Sequence, residues 1–223
     1  MKKIRTTIVG SLALLLLLST VASASAHDGN SGHQAKDRSR AVATWWWEDT
    51  TVGRSELVRD SDSIAATIRA RGATPGDVVT LWLIVFNNPE ACSTDPCSVP
   101  ADVFNADTAA DFYWADGAAV GNNGRVRLSG SLQTGDITHS GKAETGLADA
   151  VALSDPRRAE VVVALHSHGP AQEGAALEAQ LGSFTGGCSV FNGPDGFAAG
   201  FDDIPDQVGE CSTYQRSLLQ ARR

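Results

Sequence analysis

Residues Val78 to Phe86 constrain this chain more than any other stretch. Val79, Leu81, Leu83 and Val85 line one face of an extended segment, and Val78, Trp82, Ile84 and Phe86 line the other. Side chains on a strand alternate between two faces, so a strand apolar on both must be covered on both. This predicts a central strand in a layered fold. Ahead of it, Ile64, Ala66, Ile68 and Ala70 alternate with Ala65, Thr67, Arg69 and Arg71, the pattern of a strand with one buried face. Between the two lies Gly72-Ala73-Thr74-Pro75-Gly76-Asp77. Pro75 presets φ and Gly76 can supply a positive φ, which fits a type II turn joining the strands as a hairpin.

Further along, Asp111 to Ala115 reads as a short strand with Phe112 and Trp114 on one face. Gly121-Asn122-Asn123-Gly124 reads as a turn. Val126, Leu128, Gly130 and Leu132 then alternate with Arg125, Arg127, Ser129 and Ser131, which predicts a second hairpin. Leu147 to Leu153 is expected to hold a short helix. Glu160 to His168 carries Val161, Val162, Val163 and Leu165 and reads as a strong strand. Cys188 to Cys211 reads as a Gly- and Asp-rich loop, and Ser212 to Leu219 fits a strand or a short helix equally well. No long helical period and no fixed repeat is visible. These signals predict an all-β fold, an antiparallel two-sheet sandwich, because the central strand needs a cover on each side.

The N-terminus adds a compartment. Lys2, Lys3 and Arg5 precede an apolar run from Val9 to Leu18, and Ala24-Ser25-Ala26 supplies small residues for cleavage. Residues 1–26 thus read as a secretory signal peptide. The apolar run is shorter than the roughly 20 residues that span a bilayer, so no transmembrane segment is expected after cleavage. The protein is expected to be secreted or extracytoplasmic. Of the 223 residues 197 would remain, enough for one domain with a real core. Residues 27–40 are polar and read as a flexible leader, and 41–223 read as a single disulfide-bonded sandwich. The signal holds three of the 18 basic residues and none of the 26 acidic ones, so the mature charge is −11. Such a balance repels phosphate backbones and anionic lipid, so nucleic acid is not expected as a partner.

Cys92, Cys97, Cys188 and Cys211 form an even set in an exported chain and read as two disulfides. Three pairings are open. Cys92–Cys97 with Cys188–Cys211 is favoured, because each closes a local loop rich in Gly, Pro or Asp. The C-x4-C spacing and an oxidising compartment speak against a thiolate metal site.

Two stretches carry a likeness. Phe86-Asn87-Asn88-Pro89-Glu90-Ala91-Cys92, preceded by Gly72-Ala73-Thr74-Pro75-Gly76 and a Trp-containing strand, resembles a group of uncharacterised secreted bacterial proteins. His168-Gly169-Pro170 followed by Gly186-Gly187-Cys188 resembles the later part of the same group. The likeness runs from about Ser63 to Cys188. It implies a shared β fold and export, and brings no activity or catalytic residue. Val161 to Pro170 alone is also similar to the CHRD domain, named after chordin, where a strand runs into a His-containing turn.

His166 and His168 are the sharpest chemical candidates. An i, i+2 pair on a strand points both imidazoles to one face, where they can chelate copper or zinc, with His139 as a candidate third ligand. Val162 and Ala164 share that face, so a pair at the edge of the core is the competing reading. His27 becomes N-terminal on cleavage, and a terminal amine with its own imidazole can clamp copper, as lytic polysaccharide monooxygenases do. Trp45, Trp46 and Trp47 can form a stacking platform for a flat ligand, or pack into the core and its rim. Asp195, Asp202, Asp203 and Asp206 offer hard oxygens for Ca²⁺, though their spacing does not fit an EF-hand and Asp is common in turns.

Enzyme signatures are otherwise missing: no G-x-S-x-G, P-loop, H-E-x-x-H or dinucleotide fingerprint occurs. The leading expectation is an exported non-catalytic binding or cell-envelope module, its partner an extracellular ligand or surface protein. The alternative is a copper- or zinc-binding protein, with an oxidoreductase as one form of it, centred on His166 and His168.

Overall fold

Strands dominate the computed structural model, which describes residues 37–45, 51–99, 101–184, 186, 190–192 and 210–219. In chain order they are β1 (Asp37–Trp45), β2 (Thr51–Arg59), β3 (Ser63–Arg71), β4 (Asp77–Phe86), β5 (Ala110–Ala119), β6 (Arg125–Gln133), β7 (Glu160–Pro170), β8 (Val190–Asn192) and β9 (Glu210–Leu219). Two short helices, α1 (Gly141–Thr145) and α2 (Ala175–Gly182), flank β7. The hydrogen-bonded order is β5-β4-β7-β9-β1-β2-β3-β6, with β8 beside β9. All ladders are antiparallel except β8 with β9.

This path folds over into two layers, joined where Thr44 meets Arg216 and Trp45 meets Gln215. One layer is β6-β3-β2-β1 and the other is β5-β4-β7-β9. Their inner faces share one core. Leu57, Ile64, Ile68 and Leu128 come from the first layer, and Leu81, Leu83, Val85, Val161, Val163 and Leu165 from the second. The chain is therefore an all-β two-sheet sandwich.

The second layer has a cover on its outer side as well. Trp82, Ile84 and Phe86 of β4 pack there with Val162 and Ala164 of β7 and Phe112 of β5. Val99, Val103 and Phe184, from the connections after β4 and α2, close over them. All ten residues of β4 are buried, as its two-sided apolarity required. The first layer is different. Its inner side is mostly apolar, with Ser55 and Arg59 buried among the apolar residues, and its outer side carries mainly charged and hydroxyl side chains beside Val42, Val58 and Ala65.

Neither expected hairpin forms. The turn before β4 is present: Gly76 has φ 87°, and the Asp77 N–H donates to the Thr74 carbonyl at 3.2 Å. Yet it carries the chain from one layer to the other. β3 pairs with β2 and β6, while β4 pairs with β5 and β7. Adjacent strands share faces, so a cover over the outer side of β4 would have had to stop abruptly at the arginines of β3. Separate layers remove that conflict. β5 and β6 likewise lie in opposite layers. They meet edge to edge, where the Ser129 N–H donates to Asp116 Oδ2 at 2.9 Å. A Cβ on Gly130 would sit 2.5 Å from the Ala115 carbonyl oxygen. The carboxylate satisfies a strand-edge donor that would otherwise be open to pairing.

The expected helix at Leu147 to Leu153 is not there. The helix lies earlier, as α1, with the Ser140 hydroxyl capping its start and Gly146 (φ 66°) ending it. The later segment is irregular and held by side chains of β5. Buried Asp111 accepts from the Val151 N–H at 2.9 Å and from Ser140 Oγ at 2.7 Å, and the Tyr113 hydroxyl donates to the Val151 carbonyl. β1 begins at Asp37, inside the expected leader, so the ordered sandwich starts before Ala41. Residues 212–219, open between two readings, are strand. No helix among the described residues is long and apolar enough to cross a membrane.

Candidate functional site

β7 carries His166 and His168 with their rings together, centroids 4.7 Å apart. They face the covered outer side of the second layer, and only 1 % and 0 % of their surface is exposed. Phe184 packs on His166 at 5.1 Å. Both ring nitrogens of His168 are engaged. Nδ1 lies 2.7 Å from the Gly186 carbonyl, which can only accept, so Nδ1 carries the proton. Nε2 then accepts from Thr80 Oγ1 at 2.9 Å, and Thr80 Oγ1 in turn accepts from the indole N–H of Trp82 at 2.8 Å. This chain is complete when the imidazole is neutral. Burial pushes the His168 pKa down to about 4, against a smaller opposing effect of the Gly186 hydrogen bond. Burial, with His168 alongside, holds His166 well below the usual histidine range.

The third expected ligand is elsewhere. His139 is exposed and packs its ring on Trp114, with centroids 5.1 Å apart. Among the described residues, no group of three or more His, Cys, Asp or Glu side chains could hold a metal ion. Cys92 and Cys97 form a disulfide. It closes a short loop that Asp102 holds from outside, accepting from the Ser93 N–H at 2.8 Å and the Ser98 N–H at 2.7 Å. Cys188 lies outside the described residues, and Cys211 sits on β9, its backbone opposite Phe191. Trp45 ends β1. Trp46, Trp47, His27, Asp195, Asp202, Asp203 and Asp206 lie outside the described residues, as do the expected signal peptide and most of the leader.

A different site stands on the open face of the first layer. Arg38 and Arg40 of β1, Arg54 of β2, Arg69 and Arg71 of β3, and Arg125 and Arg127 of β6 are all exposed there. The inward partners of these strands, Ile68, Ala70, Val126 and Leu128, are in the core, so strand alternation sends the arginines outward. Register then aligns them. Arg54 is opposite Arg69, and Arg69 is opposite Arg127, giving three guanidinium side chains in one row across three strands. Arg71 is opposite Arg125 in the next row.

Among the described residues only Glu56 opposes these charges from the same face. It bonds Arg38 at 2.7 Å and Arg40 at 3.1 Å. The Arg40 hydrogen bond, with the charges of Arg38, Arg40 and Arg69, holds its carboxyl below the ordinary range. Among the described residues no carboxylate pairs with Arg54, Arg69, Arg125 or Arg127. Like charges directly opposite on neighbouring strands destabilise a sheet. The row Arg54–Arg69–Arg127 is therefore not explained by folding. A depression of about 510 Å³ runs between Arg38, Arg40, Arg54, Arg69 and Arg127, and a second of about 610 Å³ between Arg54, Arg69, Arg71, Arg125 and Arg127.

The arginine face escaped the expectations drawn from sequence, although a signal for it exists. Arg-x-Arg occurs at Arg38–Arg40, Arg69–Arg71 and Arg125–Arg127. On a strand each such pair points to one side. No protein-family model matches this chain, and neither does any curated protein or solved structure.

Proposed function

We propose that this protein is an exported, non-catalytic binding module that captures an anionic ligand on the outer face of β2, β3 and β6. One observation carries the reading: the row Arg54–Arg69–Arg127, backed by Arg71–Arg125, without a described carboxylate to pair with Arg54, Arg69, Arg125 or Arg127. A guanidinium offers several donors in a flat fork that matches carboxylate, sulfate or phosphate. The face is open, with shallow depressions between the arginines, as suits binding rather than the water-excluded pocket that catalysis uses. Export is supported by the signal-like N-terminus, the Cys92–Cys97 disulfide and the likeness to secreted bacterial proteins.

The test is chromatography of the mature protein on immobilised dextran sulfate at low salt. The wild-type protein is expected to be retained and to elute as salt rises. The variant Arg54→Gln/Arg69→Gln/Arg127→Gln, with unchanged circular dichroism, is expected in the flow-through. Equal retention of the two proteins, or none for the wild type, rejects the reading.

A further inference from the structure

We infer that the ligand is a linear acidic polysaccharide laid across strands β2, β3 and β6, an inference that rests on the anion-binding reading above. Spacing is the first argument. Neighbouring strands are about 5 Å apart, so the row from Arg54 to Arg127 spans about 10 Å. A single small anion would reach both ends only by drawing the Arg54 and Arg127 side chains together over it. A chain crossing the strands meets one guanidinium at each of them, and Arg125 offers another about 7 Å further along the strands.

The neighbours of the arginines are the second argument. Thr67 and Ser129 are cross-strand partners in the row beside Arg69 and Arg127, and Ser131 follows opposite Ala65. Hydroxyl groups next to fixed charges suit a ligand with hydroxyls next to its own charges. The third argument is what accompanies them. Among the described side chains of this face none is aromatic. Single-stranded nucleic acid binds largely by stacking its bases on aromatic rings. Duplex DNA carries one charge per about 1.7 Å and is held by many phosphate contacts. The arginine surplus of this face is local, on a chain of net charge −8. A polymer of sparser charge meets the arginines and less of the opposing field.

The experiment is isothermal titration of the mature protein with galacturonate and its oligomers of increasing length. Sulfated oligosaccharides, inorganic sulfate and a hexameric oligo-dT are the comparison arms. A tetramer of galacturonate or of a sulfated sugar is expected to bind at least tenfold tighter than its monomer or inorganic sulfate. That gain is expected to vanish in Arg54→Gln/Arg69→Gln/Arg127→Gln and to persist in Arg157→Gln/Arg158→Gln, a control on a different connection. Which oligomer binds tells carboxylate from sulfate. Equal affinity for monomer and tetramer, or tighter binding of oligo-dT, overturns the polysaccharide while leaving an anion-binding face. Failure of every polyanion overturns both.

Discussion

Acid should unfold this protein through the buried histidine pair. In the unfolded chain His168 titrates near the ordinary 6.5, and in the fold near 4. The folded pKa is the lower one, so the unfolded state binds the proton first as pH falls. Stability is therefore complete above about pH 6.5 and declines steadily toward pH 4. A shift of about 2.5 units at about 1.4 kcal/mol per unit gives a loss of about 3.5 kcal/mol. His166 acts in the same direction. Whole domains are stable by only about 5–15 kcal/mol, so this loss decides whether the fold survives mild acid. Asp102 and Asp136 have lowered pKa values, so what they contribute is lost below about pH 4, outside the window. Urea unfolding at pH 7.5, 6.5, 5.5 and 4.5, at fixed ionic strength, measures the slope. His168→Gln is the informative variant, since its amide can still accept from Thr80 and donate to Gly186. It should cost some stability at pH 7.5 and flatten the slope by close to one proton. A wild-type stability that is level from pH 7.5 to 4.5, or a variant with an unchanged slope, would refute the reasoning.

Three further outcomes follow from single contacts. Asn87→Ala removes bonds from Nδ2 to the Ala109 and Ala152 carbonyls at 2.7 and 3.1 Å, and bonds into Oδ1 from the Ser154 N–H and hydroxyl. It should cost about 2–3 kcal/mol in urea unfolding, with Asn87→Asp recovering only the accepted bonds. Gly117→Ala places a Cβ 2.3 Å from the Leu181 carbonyl oxygen, which also accepts from the Trp114 indole. The end of α2 must move, at a cost of about 1–3 kcal/mol, checked by the melting temperature and by Trp fluorescence. Arg69→Gln removes the middle charge of the row and should stabilise the fold by about 0.2–1 kcal/mol at low salt. The gain should fade in 1 M salt, and unfolding at both salt concentrations decides it.

The sequence-level signals worked where burial is local. β3 and β4 were legible because alternation and its absence report one covered face or two, and the Gly76 turn because a positive φ needs glycine. Pairing was not legible. Both turns looked like hairpin connections, yet each crosses between layers, and only the mismatch between the polar face of β3 and the apolar face of β4 could have said so. β1 and β2 gave too little apolar alternation to be read at all. That loss hid the arginine face, because Arg54 becomes part of a row only when β2 is set between β1 and β3. The histidine pair was read correctly as sharing a face, but the side of the layer it occupies depends on Phe184 and Gly186, distant in sequence. Periodicity alone cannot tell a solvent-facing pair from one covered by a returning connection.

Net charge likewise does not report where charge sits. A net charge of −8 argues against anionic partners only if charge is spread evenly. Here the fold sorts it. Seven arginines and one glutamate face outward from β1, β2, β3 and β6, a local surplus of six positive charges. Sheet architecture makes such sorting simple, because every second residue of adjacent strands must share a side. Swapping a few exposed arginines with exposed acids elsewhere would leave the core untouched and remove the repulsion between Arg54, Arg69 and Arg127. A row that weakens the sheet without filling the core has a physical rationale if an anion sits on it. For that reason the decisive comparison couples two measurements on Arg69→Gln: a fold made firmer at low salt and a ligand bound less tightly. Gain in stability without loss of binding would break the link between the row and the ligand.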